Sequence, residues 1–414
     1  MYLKLNSVYK FLRPGFYLVF SLILFFVLEF VNRGFFFNGF QWKLSPSSVP
    51  KLIWQLGLML YLFKNRKKYN KIENFFFLFS FFIIAVGTFR YYDSLNNLLW
   101  GIKHLDKLFL YFYVFLFLKY HNEIRLPKVL PVFDGIFLIN SVLIVIGFAF
   151  DIEFFRSYPF SERFGYSGVF PRMSINDVSL FYLIGNAYLY YRWIEGERKF
   201  LFFAFVFFSS FLVGTKAIYL QNLLLLGVVF FERKQVRKFI VPLGFFSVVF
   251  LLFFYNFSFW DDILKQKGLI AALSSLRSEL LIDNFSLILN EFSLKSFLFG
   301  LDNPYYLFVE IDVIDLVLTI GLLGFLGIIY FYKSILFNFR FNTISSFFIF
   351  SFVLLTCISG RYSYSGVNAI YFPLFLYYLK QKDLNHYKTV NEKEKSPHHR
   401  HYRSGRSLSL RIFN

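Results

Sequence analysis

Charge and sulfur are scarce in this chain. Asp, Glu, Lys and Arg make up 17% of its 414 residues, against about a quarter in soluble domains, and no soluble domain of useful size is left over. Cys357 is the single cysteine and stands in an apolar run, which excludes an internal disulfide and a thiolate metal cluster. A G-x-x-x-x-G-K-S/T phosphate loop is missing, so the chain hydrolyses no ATP itself. The first apolar run ends in Glu29 without a small-residue cleavage site and reads as a retained span, not a signal peptide.

What the sequence has instead is apolar length. Hydrophobic residues are 57% of the chain and aromatics 24%. The expectation is an all-α polytopic integral membrane protein with about twelve transmembrane helices. They fall near residues 14–31, 48–63, 74–89, 97–118, 129–150, 177–193, 199–213, 215–231, 237–256, 311–332, 344–359 and 366–379. The net charge is +19, but its placement says more than its sum. Lys and Arg concentrate in the connections 64–71, 119–128, 192–199, 232–238 and 333–340, which alternate with poorer loops. Because Lys and Arg resist translocation, both termini are expected in the cytoplasm. The bundle occupies 1–379. Residues 380–414 form a basic cytoplasmic tail, expected to be disordered and to touch anionic lipid, with no nucleic-acid role.

Two larger loops, 151–176 and 257–310, then face outward. The first reads "DIEFFRSYPFSERFGYSGVFPRMSIND" through residue 177, with Arg156, Arg163 and Arg172 among aromatics, glycines and prolines. Such a turn-rich stretch is an ordered loop, and the planar fork of Arg suits a diphosphate. Asn176 is a ligand candidate, or else it or Asp177 caps the next span. In the second loop, residues 268–292 have helical periodicity, with Leu269, Leu273, Leu276, Leu280 and Leu287 in one stripe. An amphipathic helix on the outer surface is expected. Arg277 borders the stripe, where it either snorkels as an anchor or reaches a phosphate. Lys216 interrupts two apolar runs at a short outer turn and pairs with Asp312 or with a lipid pyrophosphate. Arg361 takes the equivalent place at the last outer turn.

Three carboxylates, Glu310, Asp312 and Asp315, stand at the outer mouth of the tenth span. A carboxylate near a bilayer core costs several kcal/mol unless offset, so such groups are seldom idle. Acids in a first helical turn favour the helix dipole by up to about 1 kcal/mol, and one can be the N-cap. That accounts for one or two of them. A third is available as a general base or as an organiser of the outer arginines. E-x-D at 310–312 is too weak a signal to assign a metal.

At these residues the pattern resembles a known family. An outer loop with "RFGYSGVF" and Asn176 leads into a span, and a "GTKA" turn follows. A larger outer loop then carries "LRSELLIDN" and "LFGLDNPYYLFVEIDVIDLVLTIGLLGF". The chain is similar in this to the O-antigen and capsule polysaccharide polymerases, over roughly residues 90–380. The most specific part is E-x-D-x-x-D followed by Gly321 and Gly324. The chain departs from the family at Gly360-Arg361, where Gly-His is expected, although a cation is retained. The related O-antigen ligases use a histidine in the large outer loop. The six here, His104, His121, His386, His398, His399 and His401, lie elsewhere, which favours polymerase over ligase.

The resemblance implies a glycosyltransferase of the bacterial inner membrane. It would join undecaprenyl-pyrophosphate-linked oligosaccharide units at the outer leaflet without metal, cofactor or nucleotide. Arg277 and a base from Glu310, Asp312 and Asp315 are the catalytic candidates. Arg163, Arg172, Asn176, Lys216, Tyr305 and Arg361 are candidates for binding substrate and pyrophosphate. A chain-length co-polymerase and a flippase are the implied partners. The alternatives are the ligase and a lipid-linked oligosaccharide flippase or other transporter. Length and charge gathered outside, with no duplication of the two halves, speak against a rocking-repeat carrier.

Overall fold

The computed structural model describes residues 14–40, 46–90, 95–121, 126–171, 174–232, 244, 259–291, 293–302 and 308–395. Among them the regular structure is helical, and one isolated antiparallel bridge joins Arg156 to Tyr166. The helices are α1 (Pro14–Phe37), α2 (Ser48–Lys64), α3 (Lys71–Arg90), α4 (Leu95–Tyr120), α5 (Leu126–Ala149), α6 (Ile175–Ile194) and α7 (Phe200–Phe211). They continue with α8 (Lys216–Glu232), α9 (Phe259–Ser274), α10 (Arg277–Glu291), α11 (Leu294–Phe299), α12 (Asp312–Phe331), α13 (Thr343–Ile358) and α14 (Tyr371–Lys395).

Among the described residues, four segments are long and apolar enough to cross a membrane: Gly15–Phe37, Lys71–Arg90, Leu126–Ala149 and Asp312–Leu336. The chain is thus an α-helical protein of membrane character. Apart from residue 244, the expected ninth span, 237–256, lies outside the described residues, as do Arg172, Tyr305 and the tail from 396 onward. α14 runs on to Lys395, so the first part of the stretch read as a tail is helical. α4 and α6 form the centre. From Leu108 to Leu118 and from Asp177 to Arg192 every residue is buried, as expected for helices surrounded by others.

The bundle has two chemically distinct ends. At one end, Tyr61 meets His121 at 3.3 Å, Lys119 pairs with Glu73 at 2.5 Å, and Tyr190 donates to Glu232 at 2.9 Å. Buried Asp134 is held there by Arg192 at 2.6 Å and by Arg198. Lys382 reaches Glu195 and Glu197, and the Arg340 amide donates to Asp383. These bonds tie the flanks of the five basic connections to one another.

At the other end lies the loop 150–171, and it is ordered. Buried Arg33, near the end of α1, donates to the carbonyls of Phe154, Arg156 and Phe170 and to Ser167 Oγ. Asp151 accepts from Tyr166 Oη at 2.5 Å and from Arg156 at 2.7 Å, and these bonds hold its carboxyl below the usual carboxylate range.

Residues 268–292 do not form one amphipathic helix. α9 is interrupted at Gly268, and Ser275 and Leu276 take left-handed φ values of 57° and 69° between α9 and α10. The stripe is split as a result. Leu276 packs with buried Trp260 and Tyr219, while Leu269, Leu280 and Leu287 remain exposed. The reversal also turns Arg277 inward, to 9% exposure.

Candidate functional site

A cavity of about 1140 Å3 opens at the long-loop end. Arg163, Asn176, Lys216, Arg277, Glu310 and Arg361 all line it. The first loop, the α6 entry, the α7–α8 turn, the second loop and the last turn therefore meet at one place. Its remaining wall includes Phe36, Leu220, Leu223 and Ile358, so a strip of apolar surface runs beside the charged groups.

Glycine contacts set the cationic wall. Gly165 and Gly214 have φ of 145° and 75°, and a Cβ on either would lie within 2.3 Å of a carbonyl oxygen, Val213 O or Phe164 O. No other residue type allows such an approach. The bonds Tyr166 N→Leu212 O and Ser157 Oγ→Val213 O, 2.7 and 2.8 Å long, lock the loop to the turn. Arg163 is thereby fixed beside Lys216.

Both cations lie against aromatic rings. The Arg163 guanidinium lies 3.8 Å from the Tyr158 ring centroid and 4.8 Å from that of Trp260. Lys216 Nζ sits 3.2 Å from the Trp260 centroid and donates to the Ala272 carbonyl. Aromatic faces attract cations without cancelling their charge. Tyr158 and Trp260 are contributions that sequence reasoning missed. No periodicity marks them, and an aromatic next to the loop arginines was the one available signal.

Arg277 is underbonded. Its Nη1 reaches the Ser274 carbonyl at 3.5 Å, its Nη2 lies 3.6 Å from Glu310 Oε2, and its buried Nε has no hydrogen-bond partner. The five donors of this guanidinium are thus poorly satisfied by the protein.

The three carboxylates separate by role. Glu310 lines the cavity with its side chain half exposed. Asp312 is fully buried and turned away, accepting from the amides of Arg361, Tyr362 and Ser363 and from Ser363 Oγ, the last three at 2.7–2.9 Å. It fixes the final turn, including the left-handed Arg361 at φ 72°. Asp315 Oδ1 accepts from the Val309 amide at 2.9 Å and closes the turn before α12. Neither Asp312 nor Asp315 lines the cavity. Asn176 is not a helix cap, because Ser174 holds that position and makes no side-chain cap bond.

Behind this wall, Gly321 at φ 71° interrupts α12 against the backbone of Leu298. The carbonyls of Leu318 and Thr319 are taken up by the Leu301 amide at 2.8 Å and by Arg90 at 3.0 Å, as an interrupted helix in an apolar surround requires.

Among the described residues, the lining thus combines four cations and one carboxylate with apolar side chains. Comparison with protein-family models, curated proteins and solved structures finds no match for this chain.

Proposed function

We propose that the chain is a membrane glycosyltransferase that polymerises undecaprenyl-pyrophosphate-linked oligosaccharide repeat units at the outer leaflet of the bacterial inner membrane. It would thus act as an O-antigen or capsule polysaccharide polymerase. The observation that carries this reading is the convergence of Arg163, Lys216, Arg277 and Arg361 with Glu310 on one cavity with an apolar strip. About twelve spans and cytoplasmic termini are part of the proposal. The gathering of the basic connections at the end opposite the cavity supports them.

The chemistry follows from the wall. A sugar hydroxyl of the acceptor unit attacks the anomeric carbon of the donor chain. The glycosidic C–O bond forms as the bond from that carbon to the diphosphate oxygen breaks, and the electron pair leaves with the lipid diphosphate. The hydroxyl proton passes to Glu310, the carboxylate that faces the cavity. Arg277 and its neighbouring cations meet the charge developing on the leaving group, worth about 3–4 kcal/mol for each well-aimed donor. The donor is already activated, so neither metal, cofactor nor nucleotide enters. The apolar strip takes the polyprenyl chain. A co-polymerase and a flippase would work alongside.

Deleting the gene and analysing surface glycan tests this function. The expected result is core bearing one repeat unit, reproduced by Arg277→Ala at normal protein level. Loss of all repeat units would point to a flippase or a ligase. A normal ladder in Arg277→Ala would remove that residue from the site.

A further inference from the structure

Among the described residues lining the cavity Glu310 is the single carboxylate, and it lies beside Arg277, whose buried Nε has no hydrogen-bond partner. The contact between them is long, 3.6 Å, with Arg277 buried and Glu310 half exposed. Arg277 is anchored, since the turn at Ser275 and Leu276 starts α10 with this residue inside the protein. The Glu310 backbone is anchored too, at φ 60°, packed so closely on Gly360 that a Cβ there would meet its carbonyl at 2.9 Å. Two anchored groups of opposite charge stand just beyond good hydrogen-bonding distance, and only the Glu310 side chain has room to swing.

We propose that Glu310 is a displaceable counter-ion of Arg277. A phosphate-bearing ligand entering the cavity takes over the guanidinium and releases the carboxylate, which is then open to a sugar hydroxyl. This deepens the function proposed above and rests on it, because it makes loading of the anionic head and unmasking of the base one event. The guanidinium draws the carboxylate toward itself, and a ligand that takes over Arg277 frees it to turn toward a sugar hydroxyl. The clamp is weak enough to yield, because a partly exposed ion pair contributes about 0.2–1 kcal/mol, whereas a diphosphate brings several charged oxygens to a fork of unfilled donors.

The test is titration of inorganic pyrophosphate into the purified full-length chain in detergent. Glu310→Gln is expected to tighten binding about two- to fivefold, the factor a weak ion pair is worth. Glu310→Asp, which keeps the charge but is one methylene shorter, is expected to tighten it by a similar factor. In an Arg277→Gln background the Glu310 substitutions should have no further effect. Glu310→Asp binding like wild type while Glu310→Gln tightens would show a diffuse field and overturn the clamp. Weaker binding by Glu310→Gln, or an effect that persists undiminished without Arg277, would also overturn it. Failure of the wild type to bind pyrophosphate at all would sink the cavity as a diphosphate site, a result distinct from failure of the clamp alone.

Discussion

Replacing Asp312 separates two roles that a carboxylate beside an arginine cluster can have. Its oxygens satisfy three consecutive backbone amides, of Arg361, Tyr362 and Ser363, together with one hydroxyl, in a place with no solvent access. Asp312→Ala leaves those donors without a partner, at about 1–3 kcal/mol each. For the four donors together the total is at least about 4 kcal/mol, a large share of the 5–15 kcal/mol that typically separates folded from unfolded protein. Asp312→Asn keeps the shape and one acceptor oxygen but turns an amide donor toward other donors, so an intermediate loss is expected. Thermal unfolding in detergent, followed by intrinsic fluorescence, should rank the melting points as wild type, Asp312→Asn, Asp312→Ala in descending order. Glu310→Gln should melt with the wild type. An Asp312→Ala protein that unfolds with the wild type would refute the positioning role. An Asp312→Asn protein of unchanged stability and no activity would return Asp312 to the chemistry.

Other expectations concern the walls of the site. Gly214→Ala places a methyl against Phe164 O at a positive φ, and should cost about 1–3 kcal/mol and lower the melting point. Pyrophosphate affinity should fall with it, as the first loop separates from Lys216. Cys357 is exposed and lines the cavity, so a membrane-impermeant maleimide added to intact cells should label it, and pyrophosphate should slow the labelling of purified protein. Labelling only after cells are opened would reverse the proposed orientation. The Asp151 cluster gives a pH dependence. Because its folded-state carboxyl is held below the ordinary value near 4, its stabilisation is present above that pH and lost as pH falls through the lower folded value. Proteolysis of the 151–171 loop should accelerate only in acid, and Asp151→Asn should abolish that acid dependence.

The membrane character and the cast of cations were legible from the residues, because Lys and Arg are costly beside apolar runs and stand out there. Arg163, Lys216, Arg277 and Arg361 could each be named from its own neighbourhood. What could not be read is what joins them, since every joint is long-range. Gly165 against Val213, Trp260 under Lys216, and Asp312 under residues 361–363 pair segments about fifty residues apart. The three acids show this most clearly. The sequence places all three at the mouth of one span, but only the turn after α13 decides that Asp312 binds amides and leaves Glu310 to face the cavity. The break at Ser275 and Leu276 was hidden for a related reason. The leucine stripe continues through it, and what favours the reversal is burial of Leu276 against residues from other segments.

The most direct measurement of the central claim is transfer by the purified chain itself. Wild-type protein in liposomes, given lipid-linked repeat units and no nucleotide or metal, should build a ladder of lengthened glycan and release polyprenyl diphosphate. Arg277→Ala should leave single units. Absence of any transfer by the wild type, or an undiminished ladder from Arg277→Ala, would contradict the account.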